Sequence, residues 1–440
     1  QFLQLVFGYM LGRIVIAILF IPSYFRGELM TVYQLLDRRF GGKIKMLAAS
    51  LFVVMRNIAD GIRLLLTAIV LAAVYTSFQP TANAETIVVA SIILIGVAMI
   101  VFTYFGGMEA VIWVEVVQLG IYIVGALAAA IILTQSIEGG LSGAIALGSQ
   151  FNKFSLFDFS FDMTKTFTFW AGLIGGCFLT MSTHGTDQYL VQRYLCTDRP
   201  RRAATALLTS GVIVLAQFIG FLFIGVLLFA FYHPHTDPGY ATAASTAFPF
   251  TGGDRVFPDF ITRHLPTGLS GLVVAAIFAA AMSSSLNSIA ATSVNDLYRP
   301  FRQKLSDAHY LKVSHWLTLV WGVVQIGVAL LVRNQNRSAL DQALSVASLI
   351  NGPVLGVFLV GVFLKRVSEP PALIGMLASM AAMIYIRFAT NIAWTWYVFI
   401  GSLITLVVAW LASLAFSAAP ASRSQQLAVS PTEALEEISE

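Results

Sequence analysis

Long apolar runs follow one another along almost the whole chain, and short polar stretches separate them. A helix needs roughly 20 predominantly apolar residues to cross a bilayer. Eleven runs of suitable length lie near residues 2–22, 42–76, 86–104, 107–134, 166–192, 202–232, 268–295, 311–332, 339–364, 370–389 and 392–416. Because the runs are continuous rather than alternating, they predict an all-α, polytopic membrane helix bundle and not a β-barrel.

The composition supports this class. Hydrophobic residues make up 58% of the chain and charged residues 11%, whereas soluble proteins carry about 25% charged residues. The spans leave no room for a soluble catalytic domain, so we do not expect an enzyme. The net charge of +4 resides in loops and does not indicate nucleic-acid binding. We expect the lipid bilayer and a small solute as partners, with no obligatory protein partner evident.

Lys and Arg collect in alternate loops, and the positive-inside rule places the richer side in the cytoplasm. This predicts an integral protein of the inner or plasma membrane, with residue 1 on the outer face and a cytoplasmic C-terminus. The polar residues 418–440 are expected to form a disordered cytoplasmic tail.

Consecutive serines follow an Ala-rich run inside the span 268–295. Hydroxyl groups in a membrane helix need a hydrogen-bond partner. They either bond back to carbonyl groups one turn earlier or serve as ligands. In the second case Ser283, Ser284 and the Ala280 carbonyl offer three oxygens to a small, hard cation such as Na⁺.

Charged residues inside spans are the next candidates. Arg56, Asp60 and Arg63 have the spacing that places them on one helix face. They neutralise one another, or an arginine binds a substrate carboxylate. Glu115 is either an interfacial acid that reaches water or a carboxylate on an ion path.

Polar residues fill the second half of the span 166–192, where Gly185 is expected to let the helix open. His184 in this segment is either a helix contact or a ligand. Gly106 and Gly107 predict a tight turn between two spans. The small-xxx-small spacing of Gly172 with Gly176, and of Gly352 with Gly356, predicts close helix contacts. The chain lacks a Walker A loop, which excludes an ATP-driven pump of that class, and shows no motif for an organic cofactor.

Three long motifs together resemble the signature of the sodium/solute symporter family, which includes sodium–glucose, proline, sialic acid, iodide and vitamin transporters. They are YFGGMEAVIWVEVVQ at 104–118, GTDQYLVQR at 185–193, and AAAMSS at 279–284 followed by NDLY at 295–298. YQLLDRRFG at 33–41 and GPVLGVF at 352–358 resemble two further family segments. The resemblance covers essentially residues 1–417.

The resemblance implies the LeuT-type architecture of two inverted five-helix repeats. Family members usually have two more spans, so we expect a fragment that lacks the first helix of repeat one. On this basis residues 1–417 form one transmembrane symporter domain. It divides into a partial repeat one at 1–134, repeat two at 166–364 and extra helices at 370–416.

The family's functional positions carry over residue by residue. Ala280, Ser283 and Ser284 match the sodium-site helix, and Glu115 matches an acid on the inner sodium path that is usually Asp. Asp60 stands where sugar-transporting members carry a sugar-binding Asn, which makes the nearby Arg63 or Arg56 a candidate ligand for an anion. Thr183 and His184 replace the aromatic gate pair of the sugar members, which argues against a sugar. Leu286 and Asn287 stand where a second sodium site has hydroxyl groups, so we expect one Na⁺.

The resulting prediction is sodium-coupled symport by alternating access, with Na⁺ as coupling ion and no organic cofactor. The solute is expected to be a small organic anion or zwitterion. A neutral sugar-like solute, polyol or nucleoside stays open as an alternative, as do a transporter-fold sensor and a sodium-independent leak.

Overall fold

The computed structural model describes residues 1–26, 29–79, 81–233, 256–282, 285–333 and 339–416. Its regular elements in these ranges are helical. The α-helices are α1 (Leu3–Leu19), α2 (Ile21–Tyr24), α3 (Tyr33–Arg39), α4 (Gly42–Phe78), α5 (Ala84–Ser136), α6 (Gly140–Gln150), α7 (Gly176–Gly185), α8 (Gln188–Leu195), α9 (Pro200–Phe231), α10 (Val256–Arg263), α11 (Thr267–Met282), α12 (Leu286–Thr292), α13 (Asp307–Val332), α14 (Ala339–Phe363), α15 (Glu369–Ala389) and α16 (Tyr397–Ser413).

Each predicted span has a helical counterpart. Among the described residues, seven helical segments are long and apolar enough to cross a membrane: Gly42–Thr76, Ala84–Gly106, Val111–Ser136, Pro200–Phe231, Asp307–Val332, Glu369–Ala389 and Trp394–Ser413. Three shorter apolar segments are Leu3–Leu19, Thr267–Ala280 and Ala347–Phe363. The remaining predicted span, 166–192, consists of a π-helical turn at Ala171–Gly175 followed by α7 and α8. The prediction of a polytopic helical protein is confirmed.

The predicted tight turn at Gly106 and Gly107 was wrong, because the backbone of α5 is helical throughout Ala84–Ser136. A glycine inside a helix is unfavourable by only about 1 kcal/mol relative to alanine, so a glycine pair without proline does not force a turn. The two apolar halves of α5 have different neighbours. Gly96 lies against Ile326 of α13, whereas the Tyr122 hydroxyl donates to the Ala276 carbonyl of α11 at 2.9 Å.

Two spans contain or end in a π-helical turn among their described residues, and both carry motifs of the family signature. Helix α7 ends at Gly185, as predicted, and Asp187 caps the start of α8 by accepting a hydrogen bond from the Tyr189 amide. Helices α11 and α12 lie on either side of residues 283 and 284, and α12 continues into a π-helical turn at Ser293–Tyr298. Because π-helical turns are rare and frequent at functional sites, these two spans are the first place to look for a site.

Helix α1 packs very closely against the π-helical turn at Ala171–Gly175 and the start of α7, as the glycine spacing predicts. A Cβ atom on Gly8 would lie 2.1 Å from the Gly172 carbonyl oxygen, and one on Gly172 would lie 2.7 Å from the Gln4 carbonyl carbon. These contacts involve backbone atoms and cannot be relieved by a side-chain rotation. The buried core that α1 and α7 share with α4 and α14 includes Ile16, Phe20 and Phe358.

We expect Gly8→Ala to destabilise the protein by about 1–3 kcal/mol, the usual penalty for overpacking a core. Gly225→Ala is the matched control, because this glycine lies in α9 and a Cβ atom added to it would meet no atom within 4 Å. That control should be neutral or slightly stabilising, since alanine is the better helix former. Thermal unfolding in detergent measures both, and equal midpoints for the two variants would contradict the close contact.

Candidate functional site

The predicted Arg56–Asp60–Arg63 face of α4 is present. The Asp60 side chain is buried, with Oδ1 at 4.0 Å from Arg56 Nε and 3.8 Å from Arg63 Nη1. Arg56 is only 12% exposed, whereas Arg63 is 42% exposed. These separations are longer than a good charge-assisted hydrogen bond of about 2.7–2.9 Å, so the triad is held by electrostatic attraction rather than by tight pairing.

A second carboxylate completes the environment of Arg56. Asp187 is buried at the start of α8, and its Oδ2 lies 3.4 Å from Arg56 Nη1. The Arg56 guanidinium also stacks over the Tyr189 ring, 4.2 Å from its centroid. Arg56 is therefore shared between two carboxylates and an aromatic face. Asp187 belongs to the 185–193 motif, yet its pairing across the bundle had no signal in the spacing of residues.

Asp60 also connects α4 to the serine segment. Its Oδ2 accepts a hydrogen bond from the Ser285 amide at 3.1 Å and another from the Ser285 hydroxyl. Ser285 is itself buried and precedes the first residue of α12. The carboxylate therefore fixes the start of α12, next to the candidate sodium-site serines. Sequence reasoning named Asp60 as a solute ligand and missed this role.

Only one of the three candidate sodium-site residues lies among the described residues. Ala280 lies in the last turn of α11 and is half-buried. Ser283 and Ser284 lie outside the described residues, so their geometry stays a prediction. Leu286, one of the two residues that stand where a second sodium site has hydroxyl groups, is fully buried.

The Glu115 side chain is 30% exposed and is paired. Its Oε1 accepts hydrogen bonds from Arg193 Nη2 at 2.6 Å and from the Tyr189 hydroxyl at 3.4 Å. The Arg193 guanidinium lies 4.1 Å from the centroid of the Tyr189 ring. Tyr189 therefore contacts both Arg56 and Arg193, and one polar network joins the candidate path residue to the candidate solute residues.

Thr183 and His184 belong to a different cluster. His184 Nε2 lies 3.2 Å from Arg13 Nη2, and His184 Nδ1 lies 3.1 Å from the Thr183 hydroxyl. The Thr183 hydroxyl donates to the Leu179 carbonyl at 3.0 Å. The structure thus brings these two candidates together with Arg13 of α1, a residue that sequence reasoning did not single out.

The segment around Asp187 is closed. A cavity of only about 10 Å³ remains among its neighbours, which include Tyr33, Thr186 and Asn351. That volume is about the smallest that holds one water molecule. The Gln188 amide group further joins α8 to the segment before α3, since it accepts from the Val32 amide at 2.7 Å and donates to the Met30 carbonyl at 3.2 Å.

The chain is similar to known proteins over most of its length. The model of the "Sodium:solute symporter family" matches residues 2–379. The sodium/sialic acid symporter of Aliivibrio fischeri is 30% identical, over 90% of this chain and 76% of that protein. The human sodium-coupled monocarboxylate transporter 1 is 28% identical, over 88% of this chain and 61% of that protein.

The fold also matches a solved structure. The substrate-bound, outward-open structure of a Na⁺-coupled sialic acid symporter superposes with a TM-score of 0.79 and 26% sequence identity. The match covers 94% of this chain and 84% of that one. The predicted LeuT-type architecture is confirmed by neighbours of this kind.

One buried acid lies just past the predicted span 268–295. Asp296 is fully buried, and its Oδ1 accepts a hydrogen bond from the Thr31 hydroxyl at 2.9 Å. Its Oδ2 has no partner among the described residues. Burial raises the pKa of Asp296 to about 7, although Thr31 and Lys45 act in the opposite direction and Asp37 adds a small increase.

A raised pKa means that folding favours the protonated acid. The associated stability is present at low pH and is lost between the ordinary pKa of about 4 and the folded value of about 7. We therefore expect Asp296→Asn to raise the thermal midpoint at pH 8 and to change it little at pH 4. The expected gain in the free energy of unfolding at pH 8 is a few kcal/mol, since one pKa unit corresponds to about 1.4 kcal/mol. Asp198→Asn, which removes an exposed carboxylate, is the control, and an equal response of both variants at pH 8 would contradict the burial argument.

Proposed function

The chain belongs to the sodium:solute symporter family, and we propose that the solute it moves with Na⁺ is a small organic anion or zwitterion, carried by alternating access. The observation that carries this proposal is the set of arginines in the spans, Arg13, Arg56 and Arg63, of which Arg13 and Arg56 are largely buried. A buried guanidinium binds a carboxylate in a geometry that few other side chains match.

The relatives give independent support. The names of the two relatives reported above specify sialic acid and monocarboxylates, and both are anions at neutral pH. Thr183 and His184 stand where the sugar-transporting members have aromatic gate residues, which disfavours a neutral sugar. A neutral sugar-like solute and a sodium-independent leak are the alternatives that the experiment below distinguishes.

We assign Na⁺ to Ala280, Ser283 and Ser284, with Glu115 on its path to the solution. Hydroxyl and carbonyl oxygens suit a hard cation. The hydrogen bonds from Ser285 to Asp60 hold the start of α12 against α4. A change in the charge balance around Arg56 and Arg63 is thereby transmitted to the segment that carries the serines, which is a physical route for coupling the two ligands.

Coupling of this kind is a free energy shared by both ligands, so each improves the affinity for the other by the same factor. The membrane potential adds about 2.3 kcal/mol per charge for every 100 mV. Rocking of one group of helices against the other then exposes the loaded site to the opposite side.

The direct test is uptake into proteoliposomes with an inward Na⁺ gradient. Radiolabelled sialic acid, lactate and glucose are offered in turn. We expect concentrative uptake of one of the two anions and none of glucose. Uptake that is unchanged when K⁺ replaces Na⁺ would reject the symport mechanism, and uptake of glucose alone would reject the anion.

Ser284→Ala tests the sodium assignment. Loss of one oxygen ligand should raise the Na⁺ concentration for half-maximal uptake by about tenfold, which corresponds to about 1.4 kcal/mol. Ser270→Ala removes a hydroxyl from α11 at a position outside the proposed site, and should leave the sodium dependence unchanged. Wild-type sodium dependence in Ser284→Ala would remove this serine from the site.

A further inference from the structure

Within the part of the chain that the structure describes, Arg13 is a buried cation without an anion. It lies in α1, inside the first predicted span, and is 5% exposed. Its Nη2 contacts His184, while Nε and Nη1 have no hydrogen-bond partner among the described residues. The described chain places no carboxylate within ion-pair distance of this guanidinium: its single polar contact there is the imidazole.

The hydrogen bonds around His184 run in one direction. An arginine only donates, so His184 Nε2 must accept and carry no proton. The proton is then on Nδ1, where it is donated to the Thr183 hydroxyl, which in turn donates to the Leu179 carbonyl. The imidazole is therefore neutral. This series of hydrogen bonds orients the guanidinium and leaves its positive charge uncompensated.

Other buried or partly buried arginines have two carbonyl or carboxylate partners or a close carboxylate, although Nε and Nη1 of Arg39 have no hydrogen-bond partner among the described residues. Arg39 donates to the Leu364 and Lys365 carbonyls at the end of α14, at 3.0 Å each. Arg56 contacts two carboxylates, and Arg193 pairs with Glu115. A buried charge without a partner is strongly unfavourable, so an anion bound at Arg13 would bring a large gain.

The network of α4, α5 and α8 contains no guanidinium group in excess of its carboxylates. Its three guanidinium groups face three carboxylates, those of Asp60, Asp187 and Glu115. A solute carboxylate that entered this network would give it an excess of negative charge. At Arg13 the same carboxylate would neutralise a single positive charge.

We propose that Arg13 binds the carboxylate of the transported solute, with His184 and Thr183 as positioning residues that hold the guanidinium. This inference rests on the proposed anion symport and replaces Arg56 and Arg63 as the primary carboxylate ligands. Gly211 of α9 adds to the site, because a Cβ atom there would lie 3.1 Å from Arg13 Cδ and 3.3 Å from Nη1. Glycine at position 211 thus places no side chain of its own against the Nη1 edge of the guanidinium.

The test is equilibrium binding of radiolabelled sialic acid and lactate to the purified chain in detergent with Na⁺, beside binding of ²²Na⁺ without solute. Arg13→Gln should weaken binding of the carboxylate by about tenfold or more and should not weaken ²²Na⁺ binding, since it removes a positive charge from the interior. Arg13→Lys keeps the charge and should recover part of the affinity. Arg387→Gln, a change on α15 remote from both clusters, is the control and should bind like the wild type.

His184 provides a second, independent variant. His184→Gln retains an acceptor for Arg13 and should keep most of the affinity, whereas His184→Leu removes it and should weaken the carboxylate without altering ²²Na⁺ binding. Equal affinity of these two variants would overturn the positioning role. Retained ²²Na⁺ binding in each variant establishes that the protein is folded.

Other outcomes separate this inference from the proposed function. Carboxylate affinity within about twofold of wild type in Arg13→Gln, or no binding of either carboxylate by the wild type, would overturn the assignment. A third outcome would also overturn it: the carboxylate affinity of the wild type depends on chloride, and Arg13→Gln loses this chloride dependence but keeps the affinity. Arg13 would then bind chloride and not the solute. Sodium-independent uptake that still requires Arg13 would reject symport and keep the carboxylate site.

Discussion

A charged side chain inside a bilayer has to meet an opposite charge or an aligned dipole, because bulk water is not available to solvate it. This constraint organises the interior of the molecule. Asp60 stands at its centre: one oxygen faces two arginines of its own helix, and the other accepts two hydrogen bonds from Ser285. A single carboxylate thereby fixes both the charge balance of α4 and the start of α12.

The short helix α8 is the joint through which these interactions reach the rest of the bundle. Asp187, at its start, pairs with Arg56 of α4; Gln192 accepts a hydrogen bond from Ser288 of α12 at 2.8 Å; and Arg193 pairs with Glu115 of α5. Helix α7 ends two residues before Asp187 and packs closely on α1. Relative movement of the α1–α7 pair and the α4–α5–α12 group therefore has to stretch or rearrange the bonds of α8.

The sequence could predict what depends on local spacing. The spans follow from apolar length, and the Arg56–Asp60–Arg63 face follows from helical periodicity, which requires no knowledge of the fold. The opening at Gly185 followed from polar residues in an apolar span. The contacts that complete the site join residues far apart: Arg56 with Asp187 across 131 positions, Arg13 with His184 across 171, and Asp60 with Ser285 across 225. No periodicity encodes such pairs.

The mistaken turn at Gly106 and Gly107 has a related cause. A glycine pair is compatible with a turn, with a close helix contact and with an uninterrupted helix, and the small energetic penalty of glycine in a helix does not choose among them. The glycines whose role was anticipated, such as Gly172, sit where backbone atoms of α1 come within 3 Å of the missing Cβ. At Gly172 the short distance to a neighbouring backbone permits only glycine, whereas the sequence around Gly106 is compatible with several local structures.

The proposed positions of the two ligands give their coupling a sign. The network of α4, α5 and α8 is balanced in charge, so a Na⁺ ion beside the serines adds a positive charge to an interior that already contains the uncompensated Arg13. An anion at Arg13 removes that excess, and opposite charges attract through a medium of low dielectric more strongly than through water. Sodium should therefore favour the anion, and the anion should favour sodium by the same factor. A cationic solute would reverse this sign, which is the physical reason that an anion suits this arrangement of buried charge.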